Sequence, residues 1–177
     1  MKTAFTTAVL CAGLVGTAQA GEWTTSPYQD PEWSPDFTLA ATAGPMDVDV
    51  SGVGSDTAVG AQFSMNCPWF SPPAGNIRQQ FNYNRFDNDG LKLQTFEMNP
   101  RWFGGSGRLT YGAGPGIGYV RTNPDDESSD SMWAFQVGAD VEYRHGALFA
   151  GAGVRQQFTS GGDADNLLGQ VKVGVNF

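Results

Sequence analysis

The chain has 177 residues, 18 of them acidic and 10 basic, with 24 glycines and a mean hydropathy of −0.29. Only 16% of residues are charged, so it is neither a charged disordered tail nor a bundle of apolar helices. The net charge of −8 argues against phosphate-directed nucleic-acid binding. The length rules out a sixteen-stranded porin, whose strands alone take about 9–11 residues each.

Met1 to Ala20 reads as a secretory signal. Lys2 gives the positive start, Ala8 to Val15 the apolar stretch, and Ala18-Gln19-Ala20 a cleavage site before Gly21. The apolar part is shorter than the roughly 18–20 residues of a spanning helix. Without this leader 157 residues remain, with a net charge of −9 because Lys2 is lost. One cysteine, Cys67, then remains, within Asn66-Cys67-Pro68-Trp69-Phe70. A single thiol makes no internal disulfide, and a half-buried thiol under Trp69 is the expectation. Residues 21–35 form a lead rich in proline and aromatic residues, without a sustained period.

From residue 36 onward the pattern is period two, the signature of strands with two unlike faces. Asp36 to Ala43 alternates Phe37, Leu39, Ala41 and Ala43 with small polar residues. Thr57 to Met65 sets Val59, Ala61, Phe63 and Met65 against Gly60, Gln62 and Ser64. Ile77 to Phe86 sets Phe81 and Tyr83 against Arg78, Gln80, Asn82 and Asn84. Leu91 to Asn99 changes phase at Phe96, and a β-bulge there would restore both faces. Arg108 to Arg121 opposes Leu109, Tyr111, Ala113, Pro115, Ile117 and Tyr119 to a row of alternating glycines, Gly112 to Gly118. Pro115 lacks a ladder donor, so a bulge is expected beside it. Met132 to Tyr143, Leu148 to Phe158 and Leu167 to Phe177 complete eight strands. Asp87-Asn88-Asp89-Gly90, Arg144-His145-Gly146 and Gly161 to Asn166 are turn signals between them.

One face of each strand is apolar, and the other carries glycine, glutamine, asparagine and charges. A soluble barrel points the apolar face inward; a membrane barrel points it outward. The charges on the polar face favour outward. Arg78, Lys92, Arg108, Asp140, Glu142, Arg155 and Lys172 include both signs and can pair in a lumen wide enough only for side chains. Arg108 is expected near Glu142. Aromatic residues gather at strand ends, Tyr83, Tyr119, Trp133 and Phe158 at one and Phe37, Phe63, Tyr111, Tyr143 and Phe177 at the other, as interfacial girdles do. The connections 44–56, 87–90, 122–130 and 159–166 hold 11 of the 18 acids and no lysine or arginine. The opposite connections are 66–76, 100–107 and 144–147.

The chain closes on Val175-Asn176-Phe177, an amphipathic strand ending in phenylalanine. With the leader and eight amphipathic strands, residues 36–177 resemble the small bacterial outer-membrane β-barrel superfamily, the outer membrane protein A- and X-like barrels. The resemblance implies an all-β, eight-stranded antiparallel up-and-down transmembrane barrel in a Gram-negative outer membrane. It implies export through the periplasm and insertion by the barrel-assembly machinery, with Phe177 as the recognised end. Residues 21–35 would then be a periplasmic lead and the acidic connections extracellular. A soluble secreted barrel is the architectural rival.

The chemistry-bearing motifs are sparse. The single histidine, His145, falls in an inner turn, away from outer-leaflet lipid A, and no G-x-S-x-G is present. The alternating glycines precede no helix, so they are no dinucleotide fingerprint. Asp163 and Asp165, like Asp87 and Asp89, resemble fragments of calcium loops without the full spacing, and solvated acidic turns are the plainer reading. No cofactor is expected. The expected role is structural or surface-interacting, in contact with outer-membrane lipid and lipopolysaccharide, as a monomer. A narrow channel for small or apolar solutes is the alternative, and a lipid A-modifying enzyme stands third.

Overall fold

The computed structural model describes residues 22–124, 129–162 and 164–177. The leader 1–20 and the loop acids Asp125, Asp126, Glu127 and Asp163 lie outside the described residues. Eight long strands follow one another: β1 (Thr38–Val48), β2 (Asp56–Asn66), β3 (Asn76–Asn88), β4 (Leu91–Ser106), β5 (Leu109–Pro124), β6 (Asp130–His145), β7 (Leu148–Thr159) and β8 (Asn166–Asn176). Each pairs antiparallel with the next, and β8 pairs with β1 to close the barrel. Closure removes the edges that would otherwise expose unpaired backbone groups.

The turns follow their residues. Asp89 (φ 49°) and Gly90 (φ 77°) are both left-handed, as a two-residue type I′ hairpin requires. Gly107-Arg108 and Gly146-Ala147 make equally tight turns at the other end. In the lead, Thr24–Thr25 pairs with Phe70–Ser71, and a short 3₁₀ turn follows at Pro27–Gln29. The lead thus lies against the connection between β2 and β3, with Trp23 and Tyr28 exposed.

The distribution of burial is inverted relative to a soluble protein. Val171 and Val173 on β8 are 61% and 62% exposed, while Gln62, Gln136, Gln157 and Glu142 are fully buried. The apolar faces point outward and the polar faces into the barrel, as a lipid-facing wall demands.

Neither expected bulge is present. β3 and β4 pair without interruption from Asn76↔Phe103 to Asn88↔Leu91. Leu91, Leu93, Thr95, Glu97, Asn99, Arg101 and Phe103 all face inward on one strand. The change of phase at Phe96 is a change of lumen lining, from apolar near the acidic connections to polar below. Leu91 and Leu93 join Met46, Val48, Ala58, Phe86, Val120, Ala134, Ala164 and Leu168 in an apolar plug inside that end of the barrel. Val50 and Val53 of the β1–β2 loop pack against it. At Pro115 the β4–β5 register is the same on both sides, and the ladder lapses between Met98↔Ile117 and Trp102↔Ala113. The lapse faces a second proline, Pro100, so two residues without an N–H oppose each other and no residue is inserted.

Candidate functional site

Beneath the plug, the lumen is filled by charged and amide side chains from seven of the eight strands or their immediate ends, while β5 turns its glycine row inward. Three groups stack along the axis. Nearest the plug, Arg155 of β7 meets Glu97 of β4 at 2.8 Å. Glu97 also accepts bonds from Thr95 Oγ1 at 2.8 Å, Asn84 Nδ2 at 3.1 Å and Gln136 Nε2 at 3.1 Å. Gln157 continues the chain to Gln136 at 2.7 Å, and Asn166 to Gln157 at 3.0 Å. In the middle, Asp140 of β6 lies between Lys172 Nζ at 2.6 Å and Arg101 Nε at 3.3 Å, and Lys172 also donates to Gln62 Oε1 at 2.6 Å. At the far end, Glu142 takes Arg144 at 2.8 Å and Gln80 Nε2 at 3.2 Å. Arg144 and Arg78 then share the Asp36 carboxylate at 3.0 and 2.7 Å.

Such pairing is obligatory. An ion out of water is costly unless an opposite charge is supplied, and each lumenal cation here has one within 3.3 Å. The glycines provide the room. A methyl group on Gly138 would come within 2.5 Å of Arg101 Nη2 and 2.7 Å of the Val154 carbonyl. A methyl group on Gly112 would lie 2.6–2.8 Å from the Phe103 ring. Arg101 also donates to the carbonyls of Gly114 and Pro115, the backbone stretch where the β4–β5 ladder lapses.

Of the seven lumenal charges expected, Arg78, Asp140, Glu142, Arg155 and Lys172 belong to this assembly. Arg108 does not: it occupies the exposed tight turn between β4 and β5, where its carbonyl accepts the Arg144 N–H at 2.9 Å. Glu142 is served by Arg144. Lys92 does not either, because Leu91 and Leu93 take the inward positions of that stretch and Lys92 falls on the outer wall. Arg101, Glu97, Arg144 and Asp36 complete the assembly and were not anticipated from the pattern. Arg101 and Arg144 sit in stretches whose proline and glycine residues read as turns, and Glu97 sits just past the apparent phase change.

The acidic connections organise their own loops. Asp165 Oδ1 accepts the Thr159 N–H at 2.7 Å and its hydroxyl at 2.9 Å. Asp89 accepts the Gly54 N–H at 3.1 Å and Asn88 Nδ2 at 3.0 Å, and Asp87 meets Arg85 at 3.3 Å. Among the described residues, no three His, Cys, Asp or Glu groups are placed to hold a metal ion. His145 is exposed at the end of β6. Cys67 is a buried free thiol.

Phe177 and Phe37 exchange two backbone bonds of 3.0 Å. Their rings begin an aromatic row, Phe177–Phe37–Phe63–Phe81, with centroids 5.6–6.3 Å apart. A second row, Tyr83, Phe96, Tyr119 and Trp133, is aligned by the register across β3 to β6 and begins on β3 one outward position beyond Phe81, toward the acidic connections. Tyr83, Tyr119 and Trp133 of one expected girdle and Phe37, Phe63 and Phe177 of the other fall in these rows; Phe96 and Phe81 join them, and Phe158, Tyr111 and Tyr143 lie outside them.

No family model matches the sequence, and no curated protein does. The fold does have relatives. The chain is similar to Neisserial surface protein A, with TM-score 0.61 and 17% identity over 80% of this chain and 97% of that one. It is similar to Ail, the attachment invasion locus protein of Yersinia pestis, with TM-score 0.56 and 13% identity over 82% and 100%. It is also similar to the N-terminal β-barrel domain of Pseudomonas aeruginosa OprF, with TM-score 0.54 and 14% identity over 81% and 100%. The closed inside-out barrel and these likenesses agree: the chain has the fold of the eight-stranded outer-membrane β-barrels.

Proposed function

We propose that the chain resides in the outer membrane of a Gram-negative bacterium as a closed barrel with acidic extracellular loops. Its role is structural or surface-interacting rather than catalytic or conductive. The observation that carries this reading is the continuous filling of the lumen. Met46, Phe86, Leu93 and Val120 are 0% exposed in the plug, and Gln136, Gln157, Glu142 and Lys172 below it are 0–1% exposed. A solute would have to displace both the apolar plug and three ion-paired groups beneath it.

Two proteins of like fold are an attachment invasion locus protein and a surface protein, which supports the surface-interacting reading. The sole histidine is exposed at the tight-turn end, remote from the acidic loops. The C-terminal strand, ending at Phe177, would be the segment presented to the barrel-assembly machinery after export. Reconstitution in planar bilayers tests the reading. No conductance steps above the bare bilayer are expected; reproducible single-channel steps would replace it with a narrow channel.

A further inference from the structure

The ten basic residues are sorted by position. Lys2 lies outside the described residues; Arg78, Arg101, Arg144, Arg155 and Lys172 belong to the lumenal assembly; Arg108 occupies a turn. The remaining three, Arg85, Lys92 and Arg121, all lie on the outer wall, on three adjacent strands. Register brings them together. Arg85 of β3 pairs with Gln94 of β4, and Gln94 with Arg121 of β5. Lys92 lies two residues further toward the acidic loops, between Asp87 and Asn123.

The row immediately below, away from the loops, is the aromatic one. Tyr83 pairs with Phe96, Phe96 with Tyr119, and Tyr119 with Trp133. The Tyr83 and Phe96 rings are 5.0 Å apart and those of Tyr119 and Trp133 5.6 Å. Phe96 and Trp133 are 53% and 65% exposed. The same wall therefore presents apolar rings and, one row higher, cations. Arg85 and Asp87 are both about half exposed, so their 3.3 Å contact is a surface pair of little strength. Arg121 has no ion pair or hydrogen bond among the described residues.

We propose that this wall is a site for a phosphorylated membrane lipid. The headgroup phosphate sits on Arg85 and Arg121, with Lys92 beside it and Gln94 between. The acyl chains lie against Tyr83, Phe96, Tyr119 and Trp133. Planar guanidinium forks match phosphate oxygens, and aromatic rings at the interface favour the boundary between headgroup and chain. Cations at that depth are the usual recognition element for anionic headgroups. The site's assignment to the outer leaflet rests on the proposed outward orientation of the acidic loops.

The test is equilibrium binding to the full detergent-solubilised barrel. The probes are a short-chain phosphatidic acid, the matching diacylglycerol and inorganic phosphate. Phosphatidic acid is expected to bind, with diacylglycerol and inorganic phosphate at least tenfold weaker. The double variant Arg85→Gln with Arg121→Gln should raise the phosphatidic acid Kd about tenfold or more, while Arg108→Gln leaves it unchanged. Heat-modifiable gel migration verifies that each variant is folded, and the single variants, each expected to weaken binding at least threefold, serve if the double one is not. Unchanged binding in folded variants overturns the site, as does an equal loss in Arg108→Gln or displacement of the lipid by equimolar inorganic phosphate. Orientation is read separately, by labelling Ser160→Cys on intact cells with an impermeant maleimide. Labelling supports the outer-leaflet assignment, and its absence overturns that assignment while leaving the binding result to stand or fall alone.

Discussion

Pro100 and Pro115 face each other across β4 and β5, and neither can donate a hydrogen bond to the other. The register is nevertheless kept on both sides, and Arg101 reaches from the lumen to the Gly114 and Pro115 carbonyls. Replacing both prolines by valine should restore two ladder bonds. A gain of about 1–2 kcal/mol in urea unfolding is expected, at roughly 1 kcal/mol per bond. A loss of stability would show that the lapse is required.

Asp140 is the hub of the central group, shared by Lys172 and Arg101. Asp140→Ala leaves two buried cations with their shared carboxylate gone. A destabilisation of about 3–5 kcal/mol is expected. Combining Asp140→Leu with Lys172→Met should be milder than the sum of the single changes, which a double-mutant cycle measures. Strict additivity would mean that the pair does not interact.

Two glycines give a paired contrast. Gly138→Ala drives a methyl group onto Arg101 and the Val154 carbonyl. Overpacking of this kind costs about 1–3 kcal/mol. Gly169→Ala meets nothing nearer than Pro45 Cγ at 4.0 Å. The thermal midpoint, read by loss of heat-modifiable migration, should fall for the first and hold for the second.

Phe86 is fully buried at the centre of the plug. Phe86→Ala should destabilise by about 3–5 kcal/mol through the cavity it leaves. It should not open the lumen, because the ion-paired groups below remain. Conductance of the variant in planar bilayers checks this, and a new conducting state would assign the seal to the plug alone.

The strand count, the alternation and the outward apolar faces follow from period two, which depends only on the backbone pleat. Four residues show where that rule stops. Leu91 and Leu93 break the equation of polar with inward, because what lines the lumen depends on depth, and depth is a property of the closed barrel. Arg101 follows Pro100 and precedes Gly104-Gly105, a local turn signal overridden once β3 supplies a continuous partner from Asn76 to Asn88. Arg108 has the right alternation and the wrong height: one turn further along, it faces water. The partner of each charge was less legible still, since Arg155–Glu97 and Lys172–Asp140 join strands that are not neighbours in the sheet.

Thr38 Oγ1 donates to Asn176 Oδ1 across 138 positions of sequence, beside the reciprocal Phe37–Phe177 bonds and the Asp36 carboxylate shared by Arg78 and Arg144. All of these contacts straddle or adjoin the β8–β1 seam, whereas every other seam joins strands consecutive in the chain. Hairpins can form early from local contacts; this seam must wait for the slow, entropically expensive meeting of distant segments. Closure of this clasp is therefore expected to come late in folding. Weakening Asp36 or Phe37 should lengthen the lifetime of an open, hairpin-rich sheet more than it lowers the stability of the finished cylinder.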